Sequence, residues 1–259
     1  VVRPTTALLV VDVQNDFITG SLSISNCPAG QNGEEVISPI NRLLDEVRFD
    51  MVVYSLDWHP EDHVSFIDNV SKRPLHETCK TTSDEVQVYD TVIFDVKNDG
   101  TPMEQKLWPR HCVQNSWGAE LHQDLKMSED AVLIYKGTSP DTDSYSAFWD
   151  NNKATHTNLN EELQKKNVTD VFVCGIATDV CVASTTAHAM EEGYRTMLIE
   201  DASRGVCDED IKATMDRTTA GNGLVIQSSQ VKSLASGRDR PPVLAYRLAL
   251  ELAKKMKKK

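Results

Sequence analysis

The stretch VFVCGIATDVCVAS, residues 171–184, joins a short apolar run to a turn and then to a segment with helical spacing. Its first part, Val171–Cys174, is nearly unbroken and largely β-branched, which is typical of a strand buried on both faces. Three similar runs end close to residues that can do chemistry: Ala7–Val11 before Asp12, Met51–Tyr54 before Asp57 and His59, and Ala131–Tyr135 before Lys136. Because open parallel sheets bind ligands beyond the carboxyl ends of their strands, we expect these residues to share one site.

Segments with helical spacing alternate with the apolar runs. The predicted helices are Glu34–Val47, Asn158–Lys166, Cys181–Glu192 and Asp208–Thr218, and two more predicted strands are Met197–Ile199 and Leu224–Ile226. Such alternation implies right-handed crossovers that place helices on both faces of a sheet. The sequence therefore predicts a three-layer α/β sandwich with a central, mainly parallel sheet of about six strands. No linker divides the chain, so residues 1–259 are expected to form a single domain.

Two regions depart from this alternation. Residues 74–108 contain a polar stretch followed by Val88–Val96, which predicts a hairpin carried as an insertion. Because the insertion ends beside candidate site residues, we expect it to form a wall or lid. Residues 241–259 are predicted to form an amphipathic helix that fades into a basic tail, to which we assign no function.

The composition favours a small-molecule partner. The chain has 259 residues and a formal net charge of −12, which repels the phosphates of nucleic acids and anionic lipids. No apolar stretch approaches the roughly 20 residues needed to cross a bilayer. We therefore expect no nucleic-acid partner and no membrane association, whereas a homo-oligomer stays open.

The spacing of the cysteines indicates the redox state of the compartment in which the protein works. Six of them are scattered without paired spacing, which fits reduced thiols better than a disulfide framework. We expect a cytoplasmic protein, with the nucleus as an additional compartment. Because the chain begins at Val1 and not at Met, we also expect an upstream segment, which could carry a targeting signal.

A group of histidines and one aspartate has the chemistry of a metal site. Asp57 and His59 lie two residues apart after a predicted strand, so both side chains point to the same side, and His111 offers another imidazole. One oxygen and two nitrogens suit Zn²⁺, Fe²⁺ or Mn²⁺. His63 is a further candidate ligand. The alternative is that each histidine packs its ring or caps a loop.

Cys181 is a candidate nucleophile. A thiol at a helix amino terminus gains thiolate character from the helix dipole and from a nearby lysine, here Lys136. Backbone N–H groups of the preceding turn, those of Ala177 and Cys181, could hold an oxyanion. Asp12 could accept the thiol proton while Lys136 holds both anions. A buried, inert cysteine and a plain buried salt bridge are the alternatives.

Five sequence blocks resemble the nicotinamidases of the isochorismatase-like cysteine hydrolase superfamily, particularly those of invertebrate animals. The blocks are ALLVVDVQNDF (7–17), YSLDWHPEDHVSF (54–66), LWPRHCVQNSWGAEL (107–121), YKGTSPDTDSYSAFWDN (135–151) and VCGIATDVCVAS (173–184). The resemblance implies a catalytic triad of Asp12, Lys136 and Cys181, and a metal held by Asp57, His59 and His111. It further implies a cis peptide bond before Ala177 and a substrate ring held among Phe17, Trp108 and Tyr145.

The activity implied by the resemblance is metal-dependent hydrolysis of nicotinamide to nicotinate and ammonia through a cysteine thioester, in NAD salvage. It also implies one divalent metal ion, with Zn²⁺ favoured over Fe²⁺ and Mn²⁺. Three alternatives stay open. The chain could be a related hydrolase with another small substrate, such as isochorismate or a carbamoyl amide. It could instead be a catalytically silent module that binds a pyridine metabolite, or a structural metalloprotein with an inert Cys181.

Overall fold

The computed structural model describes residues 3–95, 101–237, 246–247, 249–251 and 253–254. The strands within this part of the chain are β1 (Thr6–Val11), β2 (Met51–Asp57), β3 (Thr91–Asp95), β4 (Pro102–Lys106), β5 (Val132–Lys136), β6 (Asp170–Ile176), β7 (Arg195–Arg204) and β8 (Leu224–Ile226). The α-helices are α1 (Asn15–Ile18), α2 (Ile37–Glu46), α3 (Leu159–Lys165), α4 (Cys181–Glu191), α5 (Asp208–Ala220) and α6 (Ser228–Ala235).

Six strands form one parallel sheet in the order β5-β2-β1-β6-β7-β8. The chain builds outward from β1 through β2 to β5 and then returns to pair β6 with the other edge of β1. The strand order thus reverses between β1 and β6, which is where doubly wound sheets bind their ligands. The predicted six-stranded parallel sheet is confirmed.

The helices cover both faces of the sheet, as predicted. Residues alternate along each strand, so neighbours point to opposite layers. Val10 and Phe172 belong to the hydrophobic cluster that includes residues of α2 and α6. Leu9 and Val173 belong to the cluster that includes residues of α3 and α4. The three-layer sandwich follows from this alternation.

Element boundaries differ most where polar residues end the apolar runs. The strand β2 continues past Tyr54 to Asp57, because Asp57 is still in register with Lys136 of β5. The strand β7 spans ten residues, although its apolar run suggested three. The sequence did not predict α1 or α6, both of which are short.

The insertion forms its own small sheet. Strands β3 and β4 pair antiparallel, with Thr91 opposite Lys106. Only β3 lies within the range predicted for the hairpin, 88–96, and β4 follows at Pro102–Lys106. Phe94 and Leu107 are buried in a separate hydrophobic cluster beneath this sheet. The cluster also includes Val64 and Val70 from the segment after β2, so it joins the insertion to the rest of the domain. Trp108 follows β4 by two residues.

The chain's carboxyl-terminal segment is described only in part. The described residues between 246 and 254 are helical, and Glu251 lies 3.2 Å from the guanidinium of the buried Arg195. The rest of the helix and tail predicted for 241–259 lies outside the described residues. Among the described helices, none has the length and apolar character needed to cross a membrane.

Candidate active site

The ends of three adjacent strands and the start of one helix meet beyond the sheet. Asp12 directly follows β1, Asp57 ends β2, Lys136 ends β5, and Cys181 begins α4 after β6. The Lys136 Nζ atom lies 2.8 Å from Asp12 Oδ2 and 3.5 Å from Cys181 Sγ, and it also contacts Asp57 Oδ1. The structure therefore brings the predicted triad together, with Asp57 as a further neighbour.

The ammonium of Lys136 is buried among acceptors. Besides Asp12 and Asp57, the carbonyl of Ser144 accepts a hydrogen bond from Nζ at 3.0 Å. Burial alone would lower the pKa of Lys136, but the two carboxylates outweigh it and raise this pKa well above its usual value. Lys136 therefore stays charged and cannot act as a base at neutral pH.

The carboxylate of Asp12 has a hydrogen bond on one oxygen and an ion pair on the other. Ser55 Oγ donates to Oδ1 at 2.6 Å, while Oδ2 faces Lys136. Burial raises the pKa of Asp12, and the charge of Lys136 opposes that rise. A carboxylate with a raised pKa, beside a thiol, has the properties of a proton acceptor that can later return the proton.

The thiol of Cys181 is buried beside two carboxylates and one ammonium. Burial raises its pKa well above the usual value, and the charges of Asp12 and Asp57 add to this effect. Lys136 lowers this pKa, as the sequence suggested, but burial outweighs it. The protonated thiol is therefore favoured, and thiolate formation needs a base such as Asp12. The role of Cys181 as nucleophile stays a prediction.

Three of the predicted metal ligands converge. Asp57 Oδ2 lies 3.6 Å from His59 Nε2 and 3.8 Å from His111 Nε2. Each imidazole uses its other nitrogen on a backbone carbonyl: His59 Nδ1 lies 2.8 Å from the oxygen of Gly137, and His111 Nδ1 lies 2.7 Å from that of Pro109. Such outer contacts orient metal-binding histidines.

The donor set fits a divalent transition metal. One carboxylate oxygen and two imidazole nitrogens match the preferences of zinc, iron and manganese. Burial lowers the pKa of His111 to about 4, so its ring is neutral and has a lone pair available. The backbone of Gly137 packs closely against the His59 ring, because a Cβ at this position would lie 2.3 Å from His59 Cε1.

His63 belongs to a neighbouring group. Its Nδ1 lies 2.7 Å from Ser65 Oγ, and its ring stacks on that of His59 with centroids 3.9 Å apart. Its Nε2 is buried and has no hydrogen-bond partner among the described residues, and it lies 4.0 Å from Asp143 Oδ1. His63 therefore groups with His59 and Asp143 and not with Asp57 and His111. Its role as a ligand stays a prediction.

An apolar pocket adjoins the reactive groups. It encloses about 460 Å³ of empty space, including its open mouth, and Cys181, Asp57 and His111 line one side. The three predicted aromatic residues also line it: Phe17, Trp108 and Tyr145. The Trp108 Nε1 atom donates to Tyr145 Oη at 3.3 Å, which joins two of the walls.

Sequence reasoning missed several pocket residues. Leu22, Ile24, Val180 and Val206 complete the apolar lining, and they come from loops that carry no periodic signal. Asp143 was also missed, although it lies in the sequence block around Lys136. It is buried, and its carboxylate accepts hydrogen bonds from Gln105 Nε2 at 3.1 Å and from the Ser144 N–H at 2.8 Å.

The turn before α4 contributes backbone to the same pocket. Ala177 and Cys181 both line it. The peptide bond between Ile176 and Ala177 is cis, as the resemblance implied. The assignment of the Ala177 and Cys181 N–H groups as oxyanion donors stays a prediction.

The isochorismatase domain model matches residues 6–230, which is most of the chain and includes every residue of this site. The chain belongs to the isochorismatase family. A curated relative, the nicotinamidase of Escherichia coli, is 36% identical over 223 residues, covering 84% of this chain and 93% of the relative. The sequence-based recognition of the superfamily is thereby confirmed, while the likeness to members from invertebrate animals stays a prediction.

Solved structures of this isochorismatase family agree in fold. The yeast nicotinamidase bound to the inhibitor nicotinaldehyde is 31% identical and has a TM-score of 0.71, over 86% of this chain and 99% of that one. The pyrazinamidase of Pyrococcus horikoshii in complex with zinc is 30% identical and has a TM-score of 0.63, over 86% and 99%.

Proposed function

We propose that this isochorismatase-family chain hydrolyses nicotinamide to nicotinate and ammonia, as a metal-dependent step of NAD salvage. One observation carries the proposal. Asp57 contacts Lys136 of the predicted triad and also belongs to the cluster of His59 and His111. Cys181 and two of the predicted metal ligands, Asp57 and His111, therefore line one pocket. Relatives that act on nicotinamide support this substrate.

Substrate binding would use the apolar pocket. The rings of Phe17, Trp108 and Tyr145 offer flat surfaces for a planar pyridine, which favours stacked or edge-on contacts. When bound by Asp57, His59 and His111, a divalent ion would supply Lewis acidity and a fixed point for orienting the substrate. We propose Zn²⁺ because the donor set suits it and a relative binds zinc, with Fe²⁺ and Mn²⁺ as the alternatives.

The proposed first half-reaction forms a thioester. Asp12 removes the proton from Cys181 Sγ, and the sulfur attacks the carboxamide carbon. The backbone N–H groups of Ala177 and Cys181 hold the resulting oxyanion. Asp12 then gives its proton to the departing nitrogen, so that the C–N bond breaks and ammonia leaves. Lys136 stays protonated throughout and limits the charge that accumulates on Asp12 and the sulfur.

The second half-reaction returns the enzyme to its starting state. Water enters after ammonia has left, and Asp12 accepts a proton from it as its oxygen attacks the thioester carbon. The C–S bond breaks, and the proton held by Asp12 restores the Cys181 thiol. The nicotinic acid that forms gives its remaining proton to solvent or to the released ammonia and leaves as nicotinate. A buried, protonated resting thiol fits this scheme, because Asp12 can deprotonate it when substrate is present.

We also propose that the protein is located in the cytoplasm, with or without a share in the nucleus.

The experiment that tests this function measures ammonia release from nicotinamide. We expect release by the metal-loaded protein and its loss with a chelator or with the Cys181→Ala variant. Cys207→Ala is a matched control, because Cys207 also lies at a helix start but does not line the pocket. A metal-loaded protein that released no ammonia would refute the proposal.

A further inference from the structure

Tyr89 touches two walls of the substrate pocket without lining it. Its ring meets the ring of Trp108 edge-on, with centroids 5.7 Å apart and planes at 80°. Its hydroxyl lies 3.7 Å from Cys27 Sγ. Trp108 follows β4 of the insertion, whereas Cys27 belongs to the segment after β1, and both line the pocket. Tyr89 therefore connects two separate segments across the outside of the pocket.

The backbone at Tyr89 is held in an unusual conformation. Its φ of +76° is rare for a bulky side chain. The Tyr89 N–H donates to the carbonyl of Leu107 at 2.7 Å, and the Leu107 N–H donates to the carbonyl of Asp90 at 2.8 Å. These two bonds fix Tyr89 against the residue that precedes Trp108. Strained residues that the surrounding structure holds in place cluster at binding and catalytic sites.

Trp108 depends on side-chain contacts for the position of its ring. Its backbone is secured, because its N–H donates to Ser65 O at 2.8 Å and its carbonyl accepts from the Ile67 N–H at 3.0 Å. The ring contacts Tyr145 on one side through Nε1. Tyr89, which is 37% exposed, contacts this ring edge-on, and the ammonium of Lys106 lies 5.0 Å from the ring centroid. Removing Tyr89 would leave the backbone of Trp108 in place and remove one of the side-chain contacts that hold its ring.

We propose that Tyr89 is a positioning residue for substrate binding, which holds Trp108 in place as a wall of the pocket. The proposal rests on the proposed function for the identity of the ring that binds. Tyr89 touches none of the reacting groups, so it should set affinity and leave the chemical step unchanged. Its effect should pass through Trp108.

The test compares Tyr89→Ala with wild type for two quantities. We expect the KM for nicotinamide and the dissociation constant of nicotinate each to rise about two- to twelvefold, the size of an aromatic pair contact, while kcat stays within about twofold. Tyr89→Phe keeps the ring and should stay within about twofold of wild type. Tyr246→Ala is the matched control, because Tyr246 is exposed on the carboxyl-terminal helix.

A second comparison tests the route through Trp108. In a Trp108→Leu background, adding Tyr89→Ala should leave the KM and the nicotinate dissociation constant unchanged, because the residue through which Tyr89 acts is gone. If the effects of the two substitutions on the KM were fully additive, the proposal would be overturned. Unchanged affinity in Tyr89→Ala would also overturn it, as would an equal fall in kcat and kcat/KM in that variant. Failure of the proposed function gives a different result, since wild type itself would then release no ammonia.

Discussion

The strand-end cluster and the insertion build the same pocket by different physical means. Asp12, Asp57 and Lys136 are placed by the register of neighbouring parallel strands, so their separations follow from the sheet itself. Trp108 lies shortly after β4 of the insertion and Tyr89 shortly before β3, and the cluster that packs this small sheet also includes Val64 and Val70. Asp12, Asp57 and Lys136 thus take their geometry from the main sheet, whereas the insertion supplies one aromatic wall of the pocket, Trp108.

The largest effect should come from breaking the cluster at its cation. Lys136→Met leaves the buried carboxylates of Asp12 and Asp57 facing each other without the ammonium. We expect the rate of ammonia release to fall by more than about 10³-fold. Removing one partner of a buried ion pair should also lower the free energy of unfolding by about 3–5 kcal/mol. Activity assays and denaturant titration measure the two effects.

A control distinguishes this cluster from ordinary ion pairs. Lys153→Met removes an exposed partner of Glu191, and such surface pairs contribute roughly 0–1 kcal/mol. Near-normal activity and stability are expected for that variant. If Lys136→Met also kept wild-type activity, the cluster would have no catalytic role.

Gly137→Ala should loosen the metal group while leaving its ligands intact. An alanine Cβ would collide with the His59 ring, and the φ of +61° adds strain. We expect metal affinity to fall about 10- to 100-fold, as for other changes that disturb ligand orientation. The measurement is metal content after dialysis against graded chelator concentrations.

The Gly193→Ala variant is the control that distinguishes the effect of the collision in Gly137→Ala from the effect of backbone strain. Gly193 also has a positive φ, of +90°, but a Cβ there meets nothing within 4 Å. It should lose some stability and bind metal normally. Equal metal affinity in the two variants would contradict the role assigned to Gly137.

The protonation state of the nucleophile can be tested separately from turnover. The carboxylate of Asp12 contributes to the raised pKa of Cys181, so Asp12→Asn should lower that pKa and increase the thiolate fraction at pH 7. We expect faster alkylation of Cys181 by iodoacetamide, together with loss of ammonia release. In wild type, the alkylation rate should rise as the pH increases above neutrality. Peptide-level mass spectrometry distinguishes Cys181 from the other cysteines, and slower alkylation in Asp12→Asn would contradict this account.

The smallest effect should come from the insertion. Trp108→Leu removes one aromatic wall but no reacting group, so the KM for nicotinamide should rise about two- to twelvefold with kcat nearly unchanged. Steady-state kinetics measure both parameters. A collapse of kcat in Trp108→Leu would show that the insertion takes part in chemistry and would remove the contrast between the two regions.

Most of the fold could be predicted from periodicity. Each of the six apolar runs belongs to a strand of the main sheet. The expected burial on both faces was wrong for the edge strand β5, where Leu133 and Tyr135 are exposed. The limits of β2 and β7 could not be predicted, because their last residues are polar yet remain paired in the sheet. The exact hairpin of the insertion could not be predicted either, because no apolar run marks β4, where one of the two buried positions is Gln105.

The site was predictable in its residues but less so in its electrostatics. Strand ends indicated Asp12, Asp57 and Lys136, and the structure brings them within contact distance. The raised pKa of Cys181 could not be predicted, because it depends first on how deeply the sulfur is buried and then on the nearby carboxylates. Tyr89 was missed because its contacts, Trp108 and Cys27, are distant in sequence. Asp143 was missed although it lies in a quoted sequence block, because its partner Gln105 comes from the insertion.

The most direct test of the central claim is to trap the thioester. Wild-type protein is mixed with nicotinamide, quenched with acid within one turnover, digested and analysed by mass spectrometry. We expect a nicotinoyl group on the peptide containing Cys181. The Cys181→Ala variant should carry no such group and should release no ammonia. Ammonia release by Cys181→Ala at the wild-type rate would contradict the account.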